Sequence, residues 1–189
     1  MARSFSGAVP PPDTVVRILT SATRAPRAGN TDGWDAVVLQ GQQTEAFWQA
    51  TTDEQWRASS RRWQGLRRAP VVVALFTEPA AYLRRYAEKD KASSALGEHP
   101  GSWPIPYWFV DAGFAALLLL LGAHNEGLGA CFLGNFRGED ALCDALGVPD
   151  GRRYVGAVLM GERGGNDPPS PSLSRPRRSA TSVLHWGGW

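Results

Sequence analysis

A chain of 189 residues with 43% hydrophobic composition has apolar material for one domain with a sizeable core, and two domains would each be small. Its 20 basic and 18 acidic residues leave a formal charge of +2, which excludes a general electrostatic case for a nucleic-acid or other polyanionic partner. Two cysteines make no disulfide framework, His99, His124 and His185 have no compact metal-ligand spacing, and residues 1–12 lack the apolar core of a secretory signal, so the expected compartment is the cytoplasm.

After the turn Pro10-Pro11-Pro12, Asp13 is placed to cap a helix whose apolar positions Val15, Ile18 and Ala22 recur at helical spacing. Pro26 stops it, which puts Arg27 to Thr31 on a loop before a strand at Val37-Val38-Leu39. A second helical region spans about 44–66, interrupted near Thr51, with Thr52 and Gln55 at capping-box spacing. Five arginines fall between Arg57 and Arg68; they suit a solvated face or phosphate contacts, and no base-reading motif accompanies them. Val71 to Phe76 is continuously apolar and β-branched, as in a central strand covered on both faces.

Pro79 opens a helix expected to reach about Lys91. The aperiodic stretch from Gly97 to Trp108 is rich in large rings and fits two readings, a substrate lid or a loop packed down by Trp103 and Trp108. Asp111 is placed to cap an apolar helix ending near His124. Its run Ala112 to Ala123 is short for a bilayer span and suits a core or a dimer interface. Strands are expected at 130–133 and 154–160, with a short helix between them that carries Leu142 and Leu146 and stops at Gly147. From about Gly164 the chain is polar until 179–186, where strand character resumes. Helices and strands that do not alternate regularly predict an α+β domain over 1–189, with 164–189 as its C-terminal arm.

The segment Ala22 to Trp34 resembles the Ala-Pro-Ser-Ala-Gly-Asn-x-Gln-Pro-Trp signature of the FMN-dependent nitroreductase family, with Arg27, Asp32 and Gly33 where that signature has serine, glutamine and proline. Asp111-Ala112-Gly113 with its leucine-rich helix, Gly127-Leu128-Gly129-Ala130, and Leu159-Met160-Gly161-Glu162 extend the resemblance, in order, over most of the chain. It implies a mainly antiparallel sheet wrapped by helices, and an intimate homodimer whose C-terminal arm crosses to the partner. FMN would bind noncovalently at the subunit interface.

The resemblance also implies a ping-pong oxidoreductase. NADH or NADPH would reduce FMN, and a small-molecule electron acceptor such as a quinone or nitroaromatic would be reduced in turn. Same-fold alternatives are deazaflavin or dehydrogenation chemistry, and a flavin-binding protein with little turnover. Phosphate binding falls on Arg3, Arg177 and Arg178, with Arg24 and Arg27 beside the signature loop as further candidates. Asn30 suits the mixed donor and acceptor edge of the flavin, or else stabilises its own turn. The backbone of Gly134, next to Asn135, is implied near flavin N5, although an ordinary strand-end turn also fits. Trp103, Tyr107 and Trp108 are the candidate acceptor-binding rings. No metal and no catalytic side chain is called for, because the cofactor carries the redox chemistry.

Overall fold

The computed structural model describes residues 1–134 and 137–189. Its sheet has four strands, β1 (Trp34–Gln40), β2 (Val71–Thr77), β3 (Gly129–Leu133) and β4 (Arg153–Gly161), in the order β1-β2-β4-β3 with every neighbour antiparallel. The helices are α1 (Pro12–Ala22), α2 (Thr44–Thr51), α3 (Glu54–Ser59), α4 (Trp63–Leu66), α5 (Pro79–Tyr86), α6 (Tyr107–Asn125) and α7 (Glu139–Leu146). The α+β architecture is the expected one.

β2 organises the core because all seven of its residues are buried. Its side chains alternate between two apolar layers, as the two-residue period of a strand requires. Val71, Val73 and Leu75 meet Val15 and Ile18 of α1 and Ala115, Leu119 and Ala123 of α6. Val72, Ala74 and Phe76 meet Phe47 and Trp48 of α2 and Leu142 of α7. Each large side chain so buried stabilises the fold by about 1.5–3 kcal/mol. A third cluster, built on Tyr82, Trp103 and Trp108, closes the end of the sheet where β2 finishes.

Several boundaries differ from expectation for local reasons. Helix α1 starts one residue before Asp13, with Pro11 at its N-cap and Asp13 in its first turn. The cap of α3 is Asp53, whose Oδ1 accepts the Trp56 N–H at 2.6 Å, while the Thr52 hydroxyl turns back to the Trp48 carbonyl. Helix α5 stops at Tyr86, and the segment 179–186 forms a single 3-10 turn at Ala180–Ser182 instead of a strand, with residues 171–189 exposed.

The largest difference is in α6. It begins at Tyr107, so Asp111 lies inside the helix and is 1% exposed, with no capping role. At 19 residues α6 is also long and apolar enough to span a membrane by length and composition, yet Ala112, Ala115, Ala116, Leu119 and Ala123 face the protein core. Its other face leaves Phe114, Leu117 and Leu121 between 40% and 53% exposed.

Candidate functional site

The loop after α1 is held in a backbone conformation that few sequences tolerate. Gly29 and Asn30 both adopt left-handed φ, +61° and +55°, and asparagine is among the residues that enter this region most readily after glycine. A Cβ on Gly29 would stand 2.8 Å from the Tyr86 ring, so this position needs glycine for space as well as for φ. Two hydrogen bonds fix the loop from outside, and its own Thr31 is buried. The Ala28 N–H donates to Asp111 Oδ2 at 2.7 Å, and the Arg85 Nε–H donates to the Gly29 carbonyl at 2.8 Å.

The Tyr82 hydroxyl donates to the same Asp111 oxygen at 2.9 Å. Burial, reinforced by this hydrogen bond, pushes the Tyr82 phenol far above its ordinary pKa, so it remains a donor. Arg27 is engaged within the loop: it pairs with Asp32 and donates to Asn30 Oδ1 at 2.8 Å. Asn30 is exposed, and no hydrogen bond from its amide N–H groups is seen among the described residues. Arg24 lies exposed on the turn that follows α1.

Arg3 lies elsewhere. The N-terminal segment runs beside β3, with the Ala2 N–H donating to the Ala130 carbonyl at 2.8 Å, and Phe5 bridges to Arg163. Phe5 packs where Gly161 meets Pro70, next to the first residue of β2. The Asn30 loop instead leads to Gly33, whose carbonyl accepts from Thr77 Oγ1 at 2.8 Å, at the last residue of β2. Seven strand residues separate these ends, roughly 20 Å at about 3.3 Å per residue. Arg3 and Asn30 of one chain therefore lie toward opposite ends of β2.

Two pockets open beside the α2–α4 segment. One is lined by Trp48, Thr51, Thr52, Trp56, Leu66, Leu133, Gly134 and Arg137. Gly134 is exposed, and a Cβ there would meet nothing, so its backbone looks into open space. Asn135 lies outside the described residues. The Trp48 indole N–H is buried without a hydrogen-bond partner among the described residues. The second pocket gathers Arg3, Arg61, Arg62 and Arg68 around Ser4 and Gly65. Sequence reasoning missed the Trp48 pocket and treated Arg61, Arg62 and Arg68 as part of one basic run.

The other predicted residues are dispersed. Trp103 and Trp108 are each 8% exposed and pack edge-on against Tyr82, while the Trp103 indole N–H donates to the Leu96 carbonyl at 2.8 Å. Of the three candidate acceptor-binding rings, Tyr107 alone is exposed, so the loop is packed down in this chain. Arg177 and Arg178 lie on the exposed arm, with the Arg178 guanidinium donating to the Ser182 carbonyl. The arm contributes Asn166 and Pro168 to the arginine pocket.

A match to the nitroreductase family covers residues 1–162. Similar solved structures include a nitroreductase family protein from Streptococcus pneumoniae, with TM-score 0.71 and 20% identity over 97% of this chain and 94% of that one. A nitroreductase-like protein from Streptococcus mutans has TM-score 0.72 and 19% identity over 97% and 92% of the two chains. An FMN-dependent nitroreductase from Clostridium difficile has TM-score 0.67 and 17% identity over 100% and 94%. No curated protein matches the chain.

Proposed function

The chain belongs to the nitroreductase family, and on that premise we propose that it is an oxidoreductase using noncovalently held FMN at the interface of a homodimer. When bound, FMN supplies the hydride-transfer chemistry, and the protein supplies anchorage, orientation and access. Arg3 and the Gly134 backbone of one protomer would hold the cofactor together with Asn30 of its partner. The observation that carries this reading is the separation of Arg3 from Asn30 along the length of β2. A second copy would bring its own Asn30 loop to the site, and the exposed Phe114, Leu117 and Leu121 stripe of α6 gives that copy an apolar surface to cover.

NADH or NADPH is the proposed reductant and a flat small molecule, a quinone or nitroaromatic, the proposed acceptor. The pocket beside Gly134 has apolar ring surface in Trp48 and Trp56, a feature suited to a flat ligand. Tyr107 is the ring of the 103–108 loop left to contact such a molecule. Trp103 and Trp108 would act by supporting it. Arg177 and Arg178 are proposed to approach the phosphate only when the arm settles against the partner. The free thiols of Cys131 and Cys143 suit a cytoplasmic location.

The test is a visible absorption spectrum of the purified protein, supplied with FMN if colourless, followed by anaerobic addition of NADH or NADPH. Flavin bands that bleach support the cofactor and the first half-reaction together. A protein that binds no FMN overturns the proposal, and one that binds FMN without bleaching by either nicotinamide removes the oxidoreductase reading while keeping the flavin site.

A further inference from the structure

The run Arg57 to Arg68 reads in sequence as one basic surface, but the fold sorts its arginines into two sets. The chain breaks between α3 and α4, and Arg57 and Arg67 turn to Trp63, with their guanidinium carbons 5.1 and 5.6 Å from its ring centre. Arg57 also donates to Thr52 Oγ1 at 2.8 Å and to the Trp48 carbonyl at 2.9 Å. Arg61, Arg62 and Arg68 instead join Arg3, from 58 or more positions earlier in the chain, around a cavity of about 210 Å³.

This gathering is built by close packing. The carbonyl of Arg3 would lie 2.6 Å from a Cβ on Gly65, and the Phe5 N–H donates to the Gly65 carbonyl at 3.3 Å, so the absence of a side chain at Gly65 brings Arg3 and Ser4 against α4. Arg68 is anchored by donating to the Ser6 carbonyl. Among the described residues no carboxylate lines the cavity. The nearby acids are directed elsewhere, Asp167 accepting the Arg3 backbone N–H at 3.0 Å and Glu162 accepting the Ser6 hydroxyl at 2.8 Å. By contrast, the arginines at 17, 27, 84, 85, 137, 152 and 153 each meet an Asp or Glu. Four arginines lining one cavity carry like charge that an entering anion would offset, and the paired donors of a guanidinium match phosphate oxygens.

We infer that the Arg3, Arg61, Arg62 and Arg68 cavity is a phosphate seat, with Arg61 and Arg62 as phosphate ligands alongside Arg3. The inference rests on the flavin reading for its ligand, the 5′-phosphate of FMN. It takes Arg61 and Arg62 out of a merely solvated surface and leaves Arg24 and Arg27 without a phosphate role.

The experiment compares FMN with riboflavin, which lacks the phosphate, by quenching of flavin fluorescence on the full-length protein and on the Arg61→Ala/Arg62→Ala double variant, with Lys89→Ala as control. Loss of two charge-assisted contacts should weaken FMN binding by about 100-fold, leave riboflavin binding unchanged, and abolish displacement of FMN by inorganic pyrophosphate. Arg61→Lys/Arg62→Lys, which keeps the charge, should recover part of the preference and exclude unfolding as the cause. A double variant that retains the wild-type preference for FMN over riboflavin overturns the inference and leaves the flavin reading intact. If the wild type binds neither flavin, that reading fails. Calorimetric titration with pyrophosphate then decides the seat: binding lost in the double variant supports it, and no binding to the wild type overturns it.

Discussion

Asp111, one turn inside α6, accepts the backbone N–H of Ala28 at 2.7 Å, and so ties the central helix to the loop that presents Asn30. Its carboxylate oxygen also takes the Tyr82 hydroxyl, which couples α5 to the same point. Replacing Asp111 with Ala strands two donors, the buried Tyr82 hydroxyl and the half-buried Ala28 N–H, and the expected loss is about 2–4 kcal/mol by urea denaturation. Tyr82→Phe removes one hydrogen bond and should cost about 1 kcal/mol. In the double variant the losses should fall short of additive, because both changes delete the same bond.

Gly29→Ala should be disproportionately harmful. It places a Cβ at left-handed φ and within 2.8 Å of Tyr86 Cε2. The predicted cost is more than about 1 kcal/mol, together with weaker FMN binding, since Asn30 is the next residue. The second change Tyr86→Ala should relieve the steric part but not the conformational part, and paired thermal melts would separate them.

Glu139 Oε1 accepts from Arg153 Nε at 2.9 Å and from the Tyr154 N–H at 3.0 Å, holding the start of α7 to the start of β4. The Arg153 hydrogen bond, more than the backbone one, keeps the Glu139 carboxyl below its ordinary value of 4.5. A folded-state pKa that is depressed contributes stability above the ordinary value and loses it as pH falls through the folded one. Glu139→Gln should therefore lower stability at pH 7 by no more than about 1 kcal/mol, the pair being partly exposed, and have no effect well below pH 4.5. Denaturant midpoints at neutral and acid pH measure the difference.

The parts of this fold that were legible in sequence are those specified by local pattern. Val71 to Phe76 announces a strand covered on both faces because every residue is apolar, and Gly147 marks the end of α7 by its left-handed φ of +63°. Asp111 was misread because an acid before an apolar run has the form of a cap, whereas its partners Ala28 and Tyr82 are 83 and 29 positions away. Arg61 and Arg62 were legible as basic but not as a pocket, since Arg3 and Gly65 complete it only through tertiary contact. The rings of Trp103 and Trp108 gave no sign in sequence of which side of the surface they would occupy. The 179–186 segment has strand-forming residues but pairs with no strand among the described residues.

The apolar stripe of α6 predicts assembly. Leu117→Glu/Leu121→Glu places charge at two positions that are 51% and 53% exposed in the protomer, so the folded chain should tolerate both. In a homodimer the same changes would face the partner. The variant should sediment as a folded monomer and lose FMN, with its far-ultraviolet circular dichroism unchanged, whereas a dimer that keeps its flavin would dissociate this face from the interface.

The central claim is that each flavin site takes Arg3 from one protomer and Asn30 from the other. The direct measurement mixes Arg3→Ala protein with Asn30→Ala protein under conditions that exchange subunits, and titrates FMN. Each variant alone should bind weakly, while half of the sites in every mixed dimer regain both wild-type residues and should bind with wild-type affinity. A mixture that binds FMN no better than its two parents would contradict the account.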